Sequence, residues 1–336
     1  MVGVRLAILV GLGIIVVDCT TSRQSQTGTA FDETRAEPRP LVIAHRGASG
    51  HRPEHTLEAY ALAIAMGADY IEPDIVSTRD GVLIARHENE IGVTTDVATK
   101  YAGRRTTKVI DGDSVTGWFT EDFTWDELRT LRAKERLSLR SHAYDGQFTI
   151  PRLVDVIALA DSAGRRRGRA VGLYPETKHP TYFRSIGLPL EEGLLEALRS
   201  RGLDRREAPV FIQSFEATNL RALRPLTRIR LVQLVSREDQ VTPNALREIA
   251  TYAEGIGANT RLIVPATAGT PASSLIRDAH AAGLFVHAWT LRPENEFLAP
   301  RYNGNAIAEV RELAALGVDG LFVDFPDLVL SALGRR

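Results

Sequence analysis

The stretch YIEPDIVSTRDGVLIARH, residues 70–87, decides how many strands the fold has. Two apolar runs, YIEPDIV (70–76) and VLIA (82–85), are separated only by STRDG, residues 77–81. Parallel neighbours need a crossover of about a dozen residues or more, so so short a link makes only a hairpin. The second run is then an antiparallel return arm. It brings His87 back to the level of Glu72 and Asp74.

Further apolar runs recur on both sides of this hairpin. They are LVIA (41–44), AVGLY (170–174), PVFIQSF (209–215), IRLVQLV (229–235), a weaker EGIGAN (254–259), LFVHAW (284–289) and GLFVDF (320–325). Helix-like segments lie between most of them, at 56–66, 152–163, 190–201, 217–223, 243–253, 271–282 and 306–316. Alternating strand and helix argues for an α/β fold with a parallel sheet and helices outside. Setting the return arm aside leaves eight parallel strands, the count of a TIM (β/α)8 barrel. Such a barrel works at the C-terminal ends of its strands. Residues 91–150 have no βα rhythm and carry Trp118, Phe119, Phe123, Trp125, Tyr144 and Phe148. A segment this long is expected to be an inserted unit over the barrel mouth.

Composition excludes some classes. The chain of 336 residues is 44% hydrophobic and 25% charged, with a formal net charge of −1, so no basic surplus suggests a nucleic-acid partner. LAILVGLGIIVV, residues 6–17, is shorter than the roughly 20 apolar residues of a membrane span and fits a signal-peptide core. The expected organisation is a signal peptide at 1–18, a polar linker at 19–40 and one catalytic domain at 41–336. The only cysteine, Cys19, stands where a lipoprotein carries its lipid, although Asp18 occupies a place where that signal usually has a small residue. Export to the periplasm or beyond is expected, with membrane contact only through such an anchor. A lone cysteine forms no internal disulfide.

Polar residues gather at the strand ends. In Glu72-Pro73-Asp74, positions i and i+2 of a strand share one face, so two carboxylates meet there unless a cation or proton separates their charge. Hard oxygen ligands suit Ca²⁺ or Mg²⁺. Glu176-Thr177-Lys178 repeats the arrangement, adding a third carboxylate and a cation. Each of these pairs alone reads equally as a solvated strand end or a surface ion pair. His45 and Arg46 follow LVIA, and His87 follows the return arm. Taken together, two histidines, three carboxylates, Arg46 and Lys178 supply what phosphate-ester cleavage needs: a base, an acid, a cation and donors for a charged phosphorus. Gln213 and Trp289 end strands and are either pocket or core residues. His51, His55, His142, His179 and His280 read as loop or helix-surface residues, while the role of His287, inside a strand, stays open.

AHRGASG with PEHT, YIEPD with His87, LYPETK, FIQSF, VQLV, HAWT and GLFVDFP together resemble the glycerophosphodiester phosphodiesterases, in their exported, periplasmic-type branch. The likeness runs from Leu41 to about Asp327. It implies a TIM barrel that hydrolyses glycerophosphodiesters to sn-glycerol 3-phosphate and an alcohol. By the same resemblance, Glu72, Asp74 and Glu176 fall on metal-ligand positions, usually for calcium, and His45 and His87 on the general base and acid. Arg46 and Lys178 fall on phosphate-contacting positions, and Glu54 beside the site. One departure is Glu88, where the family usually has aspartate. Competing expectations are a lysophospholipase D-like enzyme, which needs an apolar channel, and a non-catalytic glycerophosphodiester-binding lipoprotein.

Overall fold

The structure, a computed structural model, describes Met1, Gly3 and residues 39–335. The signal-peptide, linker and Cys19 expectations therefore lie outside the described residues, apart from the linker's last two positions. No helix among the described residues is long and apolar enough to cross a membrane.

The strands are β1 (Leu41–His45), β2 (Tyr70–Glu72), β3 (Asp74–Ser77), β4 (Leu83–Ala85), β5 (Thr106–Ile110), β6 (Asp113–Gly117), β7 (Gly172–Leu173), β8 (Glu176–Thr177), β9 (Phe211–Ser214), β10 (Arg230–Val235), β11 (Gly255–Asn259), β12 (Phe285–Leu291) and β13 (Gly320–Val323). Two of the expected strands are broken by proline. Pro73 interrupts one stave between β2 and β3, and Tyr174-Pro175 interrupts its neighbour between β7 and β8. Proline has no N–H for the ladder, which is why both staves break where they do. β2 pairs with β7 and β3 with β8, so each broken stave continues beside the other. β1 pairs with both β2 and β13, and the parallel ring closes through β8–β13. This is the eight-staved (β/α)8 barrel expected from the strand count.

β4 is the antiparallel return arm, with Ile75 opposite Ala85. Arg86 N–H donates to the Asp74 carbonyl at 3.0 Å, which fixes His87 next to the broken stave. Strand alternation divides the apolar residues. Val42 and Ala44 of β1 join the large core under the helices, while Ile43 faces the interior with Tyr70, Tyr174, Phe211, Val232 and Phe322. His287 belongs to this interior layer, its Nδ1 2.9 Å from the Tyr174 hydroxyl. Gly320 makes room for it, since a Cβ there would lie 2.7 Å from the imidazole.

Within residues 91–150, β5 and β6 form a hairpin, and Phe119 and Phe123 are fully buried. Trp118 Nε1 donates to the Tyr101 carbonyl at 2.8 Å, and Tyr144 stacks on Phe148 beneath Arg52. The segment's aromatics are thus taken up in packing, Phe123 as part of the large core and Tyr144 under Arg52. What it sends to the barrel mouth is charge, from Arg136 and Arg140.

Candidate active site

His45 ends β1 beside the end of β13, because parallel pairing sets Ala44 against Val323. Its Nδ1–H donates to Asp324 Oδ1 at 2.7 Å, leaving Nε2 as the acceptor, 3.2 Å from Arg46 Nε. Asp324 Oδ2 accepts from Arg140 and Arg292, each at 2.6 Å. Burial alone would raise the Asp324 carboxyl, but His45, Arg292 and Arg140 hold it well below the usual carboxylate range. A fixed anion therefore sets the tautomer of His45. Burial and then Arg46 push His45 down to about 3 against the pull of Asp324, so its Nε2 is an unprotonated acceptor at neutral pH.

The three carboxylates expected to share a face do so. Glu72, Asp74 and Glu176 are buried, and each offers an oxygen within 4.8 Å of the others. Glu72 accepts from the Arg46 backbone N–H at 2.8 Å and from Gln213 Nε2 at 3.1 Å, so Gln213 is a pocket residue. Burial and the neighbouring carboxylates push Glu72 well above its ordinary range, and burial likewise pushes Glu176 up to about 7 although Lys178 opposes it. Asp74 stays low despite its burial, chiefly through His55. Its Oδ1 is buried and has no hydrogen-bond partner among the described residues. An orphaned carboxylate oxygen among gathered carboxylates fits a hard divalent cation.

His87 stands across the pocket. Lys178 Nζ is 3.5 Å from its Nε2 and 3.0 Å from Glu176 Oε1. Glu88 Oε1 lies 2.9 Å from Nδ1, so Glu88 orients this imidazole as Asp324 orients the other. Burial, Arg46 and Lys178 lower His87 to about 4.

The loop after β1 closes the arrangement. Arg46 has φ 60, an unusual backbone for a residue other than glycine, and its Nη1 donates to Glu54 Oε2 at 2.9 Å. Glu54 also accepts from Arg136 at 3.0 Å, so it ties the two arginines together at the cavity rim. His55 corrects the surface reading. It is fully buried, bonding Asp74 at 2.9 Å and the Tyr60 hydroxyl at 2.7 Å. His179 is likewise no free surface residue, since Glu88 and Asp111 hold its two ring nitrogens. Arg86, buried and with no carboxylate partner among the described residues, donates to the carbonyls of Ala85, Glu54 and His55 at 2.7, 2.8 and 2.9 Å.

A cavity of about 400 Å³ opens over these groups, lined by His45, Arg46, Glu72, His87, Glu176, Lys178 and Gln213. Trp289 also lines it, with Phe215 edge-on at 5.6 Å. Sequence reasoning missed Asp324, although the apolar run GLFV of 320–323 is followed by an acid, the same kind of strand-end signal that located Glu72. It also missed Arg136, Arg140 and Arg292, which no local pattern sets apart from other arginines.

A closed parallel barrel that turns two imidazoles and two cations into one C-terminal cavity defines a (β/α)8 hydrolase for an anionic ester. Comparison with known proteins gives the family. The model of the glycerophosphoryl diester phosphodiesterase family matches residues 45–328, and the chain belongs to that family. It is 36% identical to a glycerophosphodiester phosphodiesterase of Arabidopsis thaliana, over 94% of this chain and 92% of that protein. A Haemophilus influenzae glycerophosphodiester phosphodiesterase is 28% identical, with 93% of each chain covered. Among solved structures, an Oleispira antarctica phosphodiesterase in complex with the product sn-glycerol-3-phosphate superposes with a TM-score of 0.65 at 22% identity, covering 88% of this chain and 97% of that one. A Silicibacter pomeroyi protein described as a glycerophosphoryl diester phosphodiesterase gives 0.66 at 23%, covering 88% and 94%. At these identities the two structures speak for the fold.

Proposed function

We propose that the enzyme hydrolyses small glycerophosphodiesters, such as glycerophosphocholine and glycerophosphoethanolamine, to sn-glycerol 3-phosphate and an alcohol. His45 is its base and His87 its acid, and Glu72, Asp74 and Glu176 hold a divalent cation, Ca²⁺ in preference to Mg²⁺. The observation that carries this reading is one cavity lined by His45, His87, Glu72 and Glu176, with Asp74 gathered against the two glutamates and each imidazole having its Nδ1 against a carboxylate. A cation bound there neutralises charge building on the phosphate oxygens.

The protein's own groups do the rest. Arg46 and Lys178 hold the non-bridging oxygens. His45 Nε2 takes the proton of the substrate's 2-hydroxyl as its oxygen bonds to phosphorus. His87 Nε2 gives a proton to the departing alkoxide as the other P–O bond breaks. Water then opens the cyclic glycerophosphate with the two imidazoles exchanging roles; direct attack by water uses the same groups. Burial first, then Arg46 and Lys178, depress His87, and the anionic diester offsets the two cations, which favours the protonated ring as substrate binds. On the pattern of residues 6–17 the enzyme works outside the cytoplasm.

The test is release of glycerol 3-phosphate from glycerophosphocholine by protein lacking residues 1–29, with Ca²⁺, with Mg²⁺ and with chelator. Turnover removed by chelator and restored best by Ca²⁺ is expected. Turnover that chelator leaves intact removes the metal from the reading, and activity only on lysophospholipids moves the substrate to lipid-bearing diesters.

A further inference from the structure

A chain of charged hydrogen bonds runs outward from His87. Glu88 Oε1 lies 2.9 Å from His87 Nδ1, and Glu88 Oε2 lies 2.7 Å from His179 Nε2. His179 Nδ1 in turn lies 2.6 Å from Asp111 Oδ2, at the tip of the β5–β6 hairpin. Two carboxylates can only accept, so both ring nitrogens of His179 donate and the ring is an imidazolium. Burial works against that charge, but the bonds to Glu88 and Asp111 outweigh it and raise His179 above its ordinary value. The glutamate in the middle is 45% exposed along its side chain and follows no helix or strand. Left alone, such a side chain would spend much of its time in water.

We infer that His179 is a positioning residue for the acid step: together with Asp111 it pins Glu88, and pinned Glu88 holds the His87 ring and favours its protonated form. His179 touches no reacting atom. It acts through Glu88, and it also ties the hairpin tip to the rim of the site. The inference rests on the reading of His87 as the acid.

The test compares two substrates on the full chain, in single-turnover experiments that read only release of the first leaving group and so leave out the later opening of the cyclic glycerophosphate. Glycerophosphocholine loses a basic alkoxide and needs a proton from His87. The p-nitrophenyl ester of glycerol phosphate loses p-nitrophenolate, which departs without one. His179 has φ 48, a left-handed backbone that asparagine adopts readily, so His179→Asn keeps the turn while being too short to bridge both carboxylates. Glu88→Gln is the second variant.

Both variants are expected to lower the single-turnover rate of choline release from glycerophosphocholine by roughly 10- to 100-fold, half-saturation holding nearly constant, and to change release of p-nitrophenolate by less than about 3-fold. Equal losses on the two substrates would mean a merely structural role and overturn the inference, as would no loss on either. His87→Ala separates this failure from that of the underlying reading. If His87→Ala spares the p-nitrophenyl ester and His179→Asn does not, only the role of His179 falls. If His87→Ala impairs both substrates equally, the acid assignment falls and takes this inference with it.

Discussion

His45 and His287 are two buried histidines on strands of one barrel, and burial lowers both to about 3. Their surroundings differ entirely. At the mouth, His45 meets Asp324, Arg46 and, through Asp324, Arg140 and Arg292. In the interior, His287 meets the Tyr174 hydroxyl and is packed edge-on against the rings of Tyr174 and Phe211. Low basicity is therefore common to both and marks neither as a catalyst. What separates them is a counter-charge on one nitrogen and a place on the cavity wall, beside Arg46, for the other, which only the strand ends provide.

Substitution tests that separation most strongly at the mouth. His45→Ala is expected to lower kcat by about 10²–10⁴-fold, the usual contribution of a general base. Thermal unfolding of the same variant should stay near wild type, because the ring fills the cavity wall and not the core. Turnover within a few-fold of wild type would return His45 to a structural role.

Asp324→Asn tests the counter-charge alone. The amide keeps the shape but cannot anchor Nδ1–H as an anion does, and it leaves Arg140 and Arg292 without their shared partner. A loss in kcat of roughly 10- to 100-fold is expected, smaller than for His45→Ala, since the ring itself remains. Steady-state kinetics on glycerophosphocholine check it, with circular dichroism to show that the fold persists.

Asp324 also shows where sequence reading stops. Strand ends were legible because apolar runs finish in charge, and a five-residue link is too short for anything but a hairpin. That rule put His45, Glu72, Asp74, Glu176, Lys178 and His87 on one face before any coordinates. It reached Gln213 and Trp289 only as alternatives, since a strand-end residue can turn inward or pack. It misread His55, because a loop histidine becomes a buried partner of Asp74 only through the turn set by Arg46 and Arg86. Arg140 was beyond reach altogether. Its partners Asp324 and Glu294 lie 184 and 154 residues away, and nothing local announces them.

Arg86 gives a third, smaller effect, on the loop that joins the two environments. Buried against backbone carbonyls, with Nη1 unpartnered, it fixes the loop that carries Glu54 and His55. Arg86→Met removes a costly buried charge but takes the donor from three carbonyls, so a net loss of about 1–3 kcal/mol is expected. Urea unfolding of wild type and variant at pH 7 checks it. A variant as stable as wild type would mean that the loop holds itself.

The interior histidine yields the smallest effect and a pH signature of its own. His287 is 1% exposed, and burial, then the charge of Arg230, lowers it from 6.5 to about 3. Above pH 6.5 neither the folded nor the unfolded chain protonates this ring, and its contribution to stability is complete. Between 6.5 and 3 the unfolded chain binds a proton that the folded one refuses. Stability must then fall with pH, by up to about 1.4 kcal/mol per pH unit for this group. His45, His87 and His55 share the direction, so wild type carries all of these contributions and the variant loses one. His287→Gln keeps a partner for the Tyr174 hydroxyl and removes only the titration. Urea unfolding at pH 7, 6 and 5 should give a shallower loss for the variant, while its kcat on glycerophosphocholine stays close to wild type. Equal slopes would mean that the native interior accepts the proton after all, and the contrast between mouth and interior would lose its electrostatic basis.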